Sequence, residues 1–450
     1  MIKRLMVLRR ALARTLLQVT RPATPQAWLR GLRRLLEELA EALQGGRLQP
    51  APVPVPRSAR PQRRVPRASA LLLVLLLTAG CSMAPAAGPL TGANVVAALS
   101  GEPDAAFARA LEPRPLLFPA DHGAHPEYQT EWWYYTGNLE DDQGNRYGYQ
   151  FTIFRSALTP EMVARDSTLA TNQVYMGHFA VTDAAGNRHV SFERFSRGAG
   201  GLAGAVGEPS FHVWLEDWEV TQPAPDRMRM VAADVDADGQ AVALALELRQ
   251  TRPPVSHGVA GLSQKGPEPG NASYYYSLIG LETTGTLTLR GRTIPVRGVS
   301  WMDHEFGTSA LSENAVGWDW FSIQLDNGAA LMFAQIRSTD GPAIGEFEGT
   351  FIHADDRQET VTQDDFSLTV LEQWTSPRTG ITYPSGWRVV LPRYDLELTV
   401  MPILRDQEMQ VTYMYWEGAV TVAGTLAGTA INGVGYVELT GYGAGHEFQR

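Results

Sequence analysis

The sequence predicts an all-β protein made of two antiparallel β-barrel domains, and three observations carry that expectation. Short runs of β-branched and aromatic residues recur from residue 131 onward, separated by turn signals and with almost no sustained helical period. The 43 Gly and 29 Pro supply many turns. A chain of 450 residues exceeds one ordinary core, since domains run about 100–200 residues. Many antiparallel strands in sequence order fit up-and-down barrels, where closure removes exposed edges.

The elements follow in chain order. Trp132–Leu139 turns through Asp142-Gln143-Gly144-Asn145 into Tyr147–Arg155, and Val174–Val181 turns through Asp183-Ala184-Ala185-Gly186-Asn187 into Val190–Phe195. Met228–Val235 turns at Asp236-Ala237-Asp238-Gly239 into Ala241–Leu248, and Thr286–Arg290 precedes Thr293–Val299. Phe321–Leu325 turns at Asp326-Asn327-Gly328 into Ala330–Ile336, and Trp387–Leu391, Leu396–Met401, Tyr413–Glu417 and Gly435–Tyr442 complete the set. A boundary between 307 and 308 gives an N-terminal domain over 118–307 and a C-terminal one over 308–450.

Ahead of them, residues 1–80 hold 15 of the 38 Lys+Arg and three of the 48 Asp+Glu, leaving 23 basic and 45 acidic residues, a formal charge of −22. Such a surface repels polyphosphate and argues against nucleic acid as a partner. An Arg-rich stretch over 57–67, the apolar run Leu71–Leu77 and Thr78-Ala79-Gly80-Cys81 resemble a bacterial lipoprotein signal with its lipobox. The run is too short to span a bilayer, which takes about 20 apolar residues. The resemblance implies removal of 57–80, lipidation of Cys81, and a periplasm-facing lipoprotein of the bacterial envelope, with Ser82 favouring the outer membrane. Cys81 is the only cysteine, so lipidation leaves no thiol for disulfides or catalysis in the fold. Residues 81–117, rich in Ala, Pro and Gly, read as a tether. Residues 1–56, with Leu29, Leu32, Leu36, Leu39 and Leu43 at helical spacing, read as an extension upstream of a true start near Val55, or as a basic helix on the inner membrane.

Ionisable groups crowd among bulky apolar ones in Trp301-Met302-Asp303-His304-Glu305-Phe306-Gly307, and again in Gly317-Trp318-Asp319-Trp320-Phe321 and Glu131-Trp132-Trp133-Tyr134-Tyr135-Thr136-Gly137. Together these segments read as the lining of one cavity near the domain junction, where ligand sites concentrate. On a strand, side chains alternate between faces, so either Asp303 with Glu305 or His304 with Phe306 enters that cavity. No second His cluster stands at ligand spacing, so neither metal nor cofactor is expected. His122 and His125 read as solvated loop residues. No Gly-x-Ser-x-Gly elbow is present, which argues against a serine hydrolase.

The Glu131–Gly137 and Trp301–Gly307 segments, with Gly177-His178-Phe179-Ala180 and Gly435-Tyr436-Val437-Glu438-Leu439-Thr440-Gly441-Tyr442, resemble the lipocalin-like family that unites carotenoid hydratases with AttH-type secreted proteins, over residues 117–442. The resemblance implies two lipocalin-like barrels around an apolar cavity for a lipid or polyisoprenoid, and favours His304 with Phe306 as the inward pair. Hydration of an isoprenoid double bond needs a strong acid and aromatic faces for the cation, roles that suit Asp303, His304, Trp318 and Trp320. The chain departs from the hydratase branch at Phe306, where hydratases carry Trp, and within Leu331-Met332-Phe333, where they carry a Tyr and an Asp. It therefore resembles the AttH-type branch, accessory lipoproteins of ABC export systems. The expected catalytic groups are Asp303, His304 and Glu305. The expected ligand-binding groups are Trp132, Trp133, Tyr134, Tyr135, His178, Trp301, Phe306, Trp318, Asp319, Trp320, Tyr436 and Glu438, with Arg388 as a partner for Glu438. Three readings follow in order: a lipid or isoprenoid carrier serving an ABC permease, a hydratase, and a structural envelope lipoprotein.

Overall fold

A computed structural model describes residues 106–443 apart from 162–166, 168, 267, 309–314 and 339–346, all within one compact unit, Ala87–Arg450. The expected helix over Leu29–Leu43, the lipoprotein-like segment with Cys81 and the first part of the tether lie outside the described residues. The tether's last part differs from expectation: Phe107 and Ala110 are buried against the fold, and Ala108 N–H bonds the carbonyl of Glu127.

Among the described residues the chain forms strands and three single 3₁₀ turns, with no α-helix. The first sheet comprises β1 (Thr130–Glu140), β2 (Arg146–Ala157), β3 (Gln173–Asp183), β4 (Arg188–Arg197), β5 (Ala203–Val206), β6 (His212–Leu215), β7 (Trp218–Ala224), β8 (Arg227–Val235), β9 (Ala241–Gln250), β10 (Val255–Ser256), β11 (Leu262–Gln264), β12 (Ala272–Leu289) and β13 (Arg292–Gly307). The second comprises β14 (Ala315–Leu325), β15 (Ala330–Ser338), β16 (Phe347–Ile352), β17 (Gln358–Val361), β18 (Ser367–Val370), β21 (Trp387–Leu391), β22 (Leu396–Pro402), β23 (Glu408–Gln410), β24 (Met414–Leu426) and β25 (Thr429–Leu439); β19 (Gln373–Thr375) and β20 (Thr382–Pro384) form a separate ribbon between β18 and β21 in the chain. All pairings are antiparallel, and each expected hairpin forms. The first sheet runs β4-β3-β2-β1-β13-β12-β9-β8-β7-β6-β5, two meanders joined through β12 and β13, and the second runs β17-β16-β15-β14-β25-β24-β22-β21-β18. One sheet is a nearly closed barrel and the other a half-barrel, the lipocalin-like architecture.

Burial along each strand shows where the sheets stack. On β8, Met228, Met230 and Ala232 are buried while Arg227 and Arg229 face water, the alternation of a strand wetted on one side. β1 is buried on both faces, as are the first half of β12 and the second half of β13. One face of β1 sends Trp133 and Tyr135 into the core of the first sheet, and the other sends Trp132 and Tyr134 against Trp301, Trp318, Trp320 and Tyr436. Each such aromatic or aliphatic side chain contributes about 1.5–3 kcal/mol by leaving water. A register shift at Leu278/Leu281 separates the two halves of β12, and Gly280 supplies the left-handed backbone there (φ 62°). The second sheet has its own core around Phe321, Phe333, Trp387 and Leu398.

Candidate active site

Strand register assembles two rows on opposite faces of the first sheet. Facing the second sheet, Asp303 lies between Tyr134 and Ser277, and Glu305 between Trp132 and Tyr275. Facing away, His304 lies between Trp133 and Tyr276. The second sheet answers the first row with Trp320, Glu438 and Glu417 in neighbouring register on β14, β25 and β24. The rows touch: the Tyr134 hydroxyl donates to Glu417 Oε2 at 2.7 Å, Trp320 Nε1–H donates to the Tyr275 hydroxyl at 3.0 Å, and the Tyr134 and Trp320 rings meet edge to face at 5.2 Å.

Asp303 is the best-connected group in the junction. Its Oδ1 accepts from Trp301 Nε1 at 2.6 Å and from the Ser277 hydroxyl, and its Oδ2 lies 2.6 Å from the Tyr275 hydroxyl. Behind Ser277 stands His257, with Nε2 2.6 Å from Ser277 Oγ and Nδ1 2.9 Å from Thr350 Oγ1 on β16. Burial pushes the Asp303 carboxyl up to about 7, against its three hydrogen-bond donors and helped by the charge of Glu305. Burial likewise lifts Glu438 to about 8, opposed by its hydrogen bond from Trp318 and reinforced by Asp303 and Glu305, and it drives Glu417 well above the carboxylate range with Glu438 adding to the effect. Lys265 is the cation of this cluster, 2.8 Å from Glu305 and 3.8 Å from Glu348. Three buried polar atoms on the facing surfaces have no hydrogen-bond partner: Tyr436 OH, Gln150 Oε1 and Glu348 Oε1. The junction is thus aromatic and acidic rather than plainly apolar.

The opposite face carries a different network. Residues 107–129 cross the end of the first sheet, with Trp133 Nε1–H bonding the His122 carbonyl at 2.8 Å, and Glu131 anchors them. Glu131 Oε1 accepts from His125 Nδ1 (2.8 Å) and His304 Nε2 (2.9 Å), and Oε2 from Arg155 Nε (2.6 Å) and the His125 backbone N–H (2.9 Å). Burial opposes its charge, but His125, His304 and Arg155 outweigh that and hold it well below the usual range. Burial also opposes the charge on His125, yet Asp121 and Glu131 raise that imidazole to about 9. His304 is kept neutral by burial in spite of Glu131. The ligand-type atoms of His125, Glu131 and His304 lie within 4.8 Å of one another. Four donors already fill the Glu131 lone pairs and Arg155 supplies the positive charge, so these residues are satisfied without a cation.

Several expectations change accordingly. Asp303 with Glu305, not His304 with Phe306, enters the junction, because β13 pairs Asp303 with Tyr134 there and Phe306 stacks on His125 (3.6 Å) beneath the covering segment. Trp133 and Tyr135 are core residues of the first sheet. His122 and His125 are buried, not solvated, because Tyr276, Asp121 and Glu131 bond them. Asp319 points away from Trp318 and Trp320 and pairs with Arg337 (3.1 Å) and the Tyr442 hydroxyl (2.9 Å). Arg388 bonds Glu397, not Glu438. His178 sits at the margin, bonded to the Tyr415 hydroxyl (2.6 Å) and Glu193 (3.1 Å). A surface concavity of about 270 Å³, lined by Phe351, His353, Tyr394 and Leu426 among others, opens at the far end of β14 and holds none of the expected site residues.

Sequence reasoning missed Tyr275, Ser277, His257, Lys265 and Glu417. A signal existed for three, Tyr275, Ser277 and Glu417: Tyr274-Tyr275-Tyr276-Ser277 and Tyr415-Trp416-Glu417-Gly418 repeat the aromatic and polar crowding of the motifs singled out. His257 and Lys265 lie in irregular stretches where spacing carries no face information.

The model of the AttH-like family matches residues 109–442 of the chain. The chain belongs to the AttH-like family. The crystal structure of an AttH-designated protein from Nitrosomonas europaea is similar at 34% identity and a TM-score of 0.65, covering 75% of this chain and 100% of that one. Kievitone hydratase from Nectria haematococca shares the fold at 14% identity and a TM-score of 0.55, covering 74% of this chain and 98% of that one. Among curated proteins none matches the sequence. For this AttH-like chain, the family agrees with the resemblance read from the four motifs.

Proposed function

We propose that this AttH-like protein is an acid catalyst of the hydratase type, acting at the junction of its two sheets on an apolar, unsaturated, isoprenoid-like substrate. The observation that carries it is Asp303: a carboxyl held near neutral protonation and set among Trp301, Trp320 and Tyr275. A site that only held hydrocarbon gains nothing from burying Asp303, Glu305, Glu417 and Glu438 together, because each buried carboxyl carries a desolvation cost. A carboxylic acid with aromatic walls suits protonation of an alkene instead. The acid of which Asp303 is the source protonates one alkene carbon, forming a C–H bond, and the neighbouring carbon becomes cationic as Asp303 becomes carboxylate. Water forms the C–O bond there, and its surplus proton returns to the carboxylate, so the sum is addition of one water. The hydratase activity of the structural neighbour is consistent with this reading.

Envelope location through lipidated Cys81, and service to an ABC exporter, are supported by the lipobox-like segment and the family; the chemistry depends on neither. The test is incubation with a panel of isoprenoid alkenes in heavy-oxygen water, reading incorporation by mass spectrometry. Incorporation that Asp303→Asn abolishes, with an unchanged circular dichroism spectrum, supports the proposal. Bound but unaltered alkenes would leave the carrier reading in its place.

A further inference from the structure

The hydrogen-bond inventory around Asp303 places its proton. Oδ1 accepts from two donors, Trp301 Nε1–H and the Ser277 hydroxyl, and is filled. With its one hydrogen donated to Oδ1, the Ser277 hydroxyl can only accept from His257 Nε2, which assigns neutral His257 the tautomer that carries Nε2–H and leaves Nδ1 to accept from the Thr350 hydroxyl. A proton on Asp303 therefore sits on Oδ2, whose neighbour is the Tyr275 oxygen at 2.6 Å. That oxygen already accepts Trp320 Nε1–H at 3.0 Å. Once it also accepts Oδ2–H both its lone pairs are used, and its own hydrogen must turn elsewhere. Tyr275 then offers a hydroxyl hydrogen to whatever occupies the junction. When Asp303 is ionised the arrangement reverses, and Tyr275 donates to the carboxylate.

We infer that Tyr275 is the group that presents the proton to the ligand, and that Asp303 acts through it. The inference rests on the proposed acid chemistry for its purpose and on hydrogen-bond geometry for its content. In the reacting step the Tyr275 O–H bond breaks as the substrate C–H bond forms, and Oδ2–H of Asp303 passes to the Tyr275 oxygen. Tyr275 ends neutral and Asp303 ends as carboxylate, so charge and protons balance. Burial and the charges of Asp303 and Glu305 hold the Tyr275 phenol well above its ordinary range, so it does not ionise itself. Ser277 and His257 are positioning residues, and Thr350 ties the device to the second sheet. The other ionisable groups around Asp303 are Glu305 on its own strand, Lys265, Glu348 on β16, Glu417 on β24 and Glu438 on β25; of these Glu305 raises its protonation most directly.

The experiment labels the tyrosine Cζ carbons of the full chain isotopically, assigns the Tyr275 resonance by its loss in Tyr275→Phe, and follows it from about pH 5 to about pH 9. In wild type the resonance is expected to shift with one midpoint near the Asp303 titration. In Asp303→Asn, whose amide N–H donates permanently to Tyr275, it is expected to hold the low-pH position throughout. β-Ionone, an isoprenoid ketone whose oxygen takes one hydrogen bond, is expected to shift the wild-type resonance at low pH and lose that effect at high pH, while acting at both in Asp303→Asn. A flat wild-type titration, an unchanged titration in Asp303→Asn, or a resonance that β-ionone does not move at low pH overturns the inference. None of these readouts requires turnover. A protein inert toward alkenes whose Tyr275 titrates as described sinks acid catalysis alone, and a hydratase that keeps its rate in Tyr275→Phe sinks this inference alone.

Discussion

Replacing Glu131 with Gln removes one charge at nearly constant volume and isolates the anchor that holds residues 107–129 across the first sheet. Each carboxylate oxygen accepts two hydrogen bonds, from His125 Nδ1 and His304 Nε2 on one side and from Arg155 and the His125 backbone on the other. Whichever way the amide turns, its NH₂ meets two donors, and Arg155, 1% exposed, loses its counter-charge. Breaking a buried pair by removing one partner costs about 3–5 kcal/mol, so urea unfolding of Glu131→Gln at neutral pH is expected to show a loss of that size. A loss below about 1 kcal/mol, the value of an exposed pair, would refute the buried-anchor reasoning. The pH arm follows from His125. Its folded pKa, raised to about 9, lies above the unfolded value of 6.5, so its contribution is complete below 6.5 and disappears as pH rises through about 9. The difference is worth about 3 kcal/mol at roughly 1.4 kcal/mol per unit. The stability gap between wild type and His125→Gln should therefore narrow from neutral pH to about pH 10, and a gap that stays constant would contradict a charged His125.

Three further outcomes are expected. Arg337→Met strands Asp319, paired at 3.1 Å and buried, and should cost about 3–5 kcal/mol in thermal or urea unfolding; a neutral effect would show that Tyr442 alone satisfies the carboxyl. Gly137→Ala places a Cβ 2.2 Å from Tyr149 Cε1 and 2.7 Å from Ser300 Oγ, so a loss of about 1–3 kcal/mol or insoluble expression is expected, and wild-type stability would mean Tyr149 moves freely. Trp301→Phe deletes a donor that favours ionised Asp303, so the carboxyl should rise by about one further unit, read as an upward move of the Tyr275 midpoint; a downward move would reverse the assigned direction of that bond.

Strand identity was legible because turns and alternation are local. Asp142-Gln143-Gly144-Asn145 and Asp326-Asn327-Gly328 mark hairpins through backbone conformations that few residues adopt, and β8 shows its inner face in Met228, Met230 and Ala232. What local pattern does not carry is partner choice between distant strands. β12 and β13 insert between β1 and β9, and nothing within residues 272–307 names those neighbours. Residues 107–117 escaped for a related reason: their Ala and Pro content resembles a linker, while the stretch they lead into is held through His122 and His125, whose partners lie on β12 and β1.

The same limit explains why the motifs meet at one junction while the face of β13 that enters it differs from the one the resemblance favoured. Alternation states that Asp303 and His304 look in opposite directions; it does not state which direction holds the second sheet. The decision is made by Trp132, Tyr134, Trp318 and Trp320, which need a partner surface to leave water, and by Glu131, which needs Arg155 and two imidazoles and finds them only on the other side. Once those demands fix the orientation of β1 and β13, Asp303 and Glu305 are carried into the junction together with Tyr275. The carboxyl cluster is thus held in place by an anchor on the far face of the same strands. Disturbing Glu131 should therefore loosen the geometry at Asp303, although the two carboxyls point to opposite faces of the first sheet.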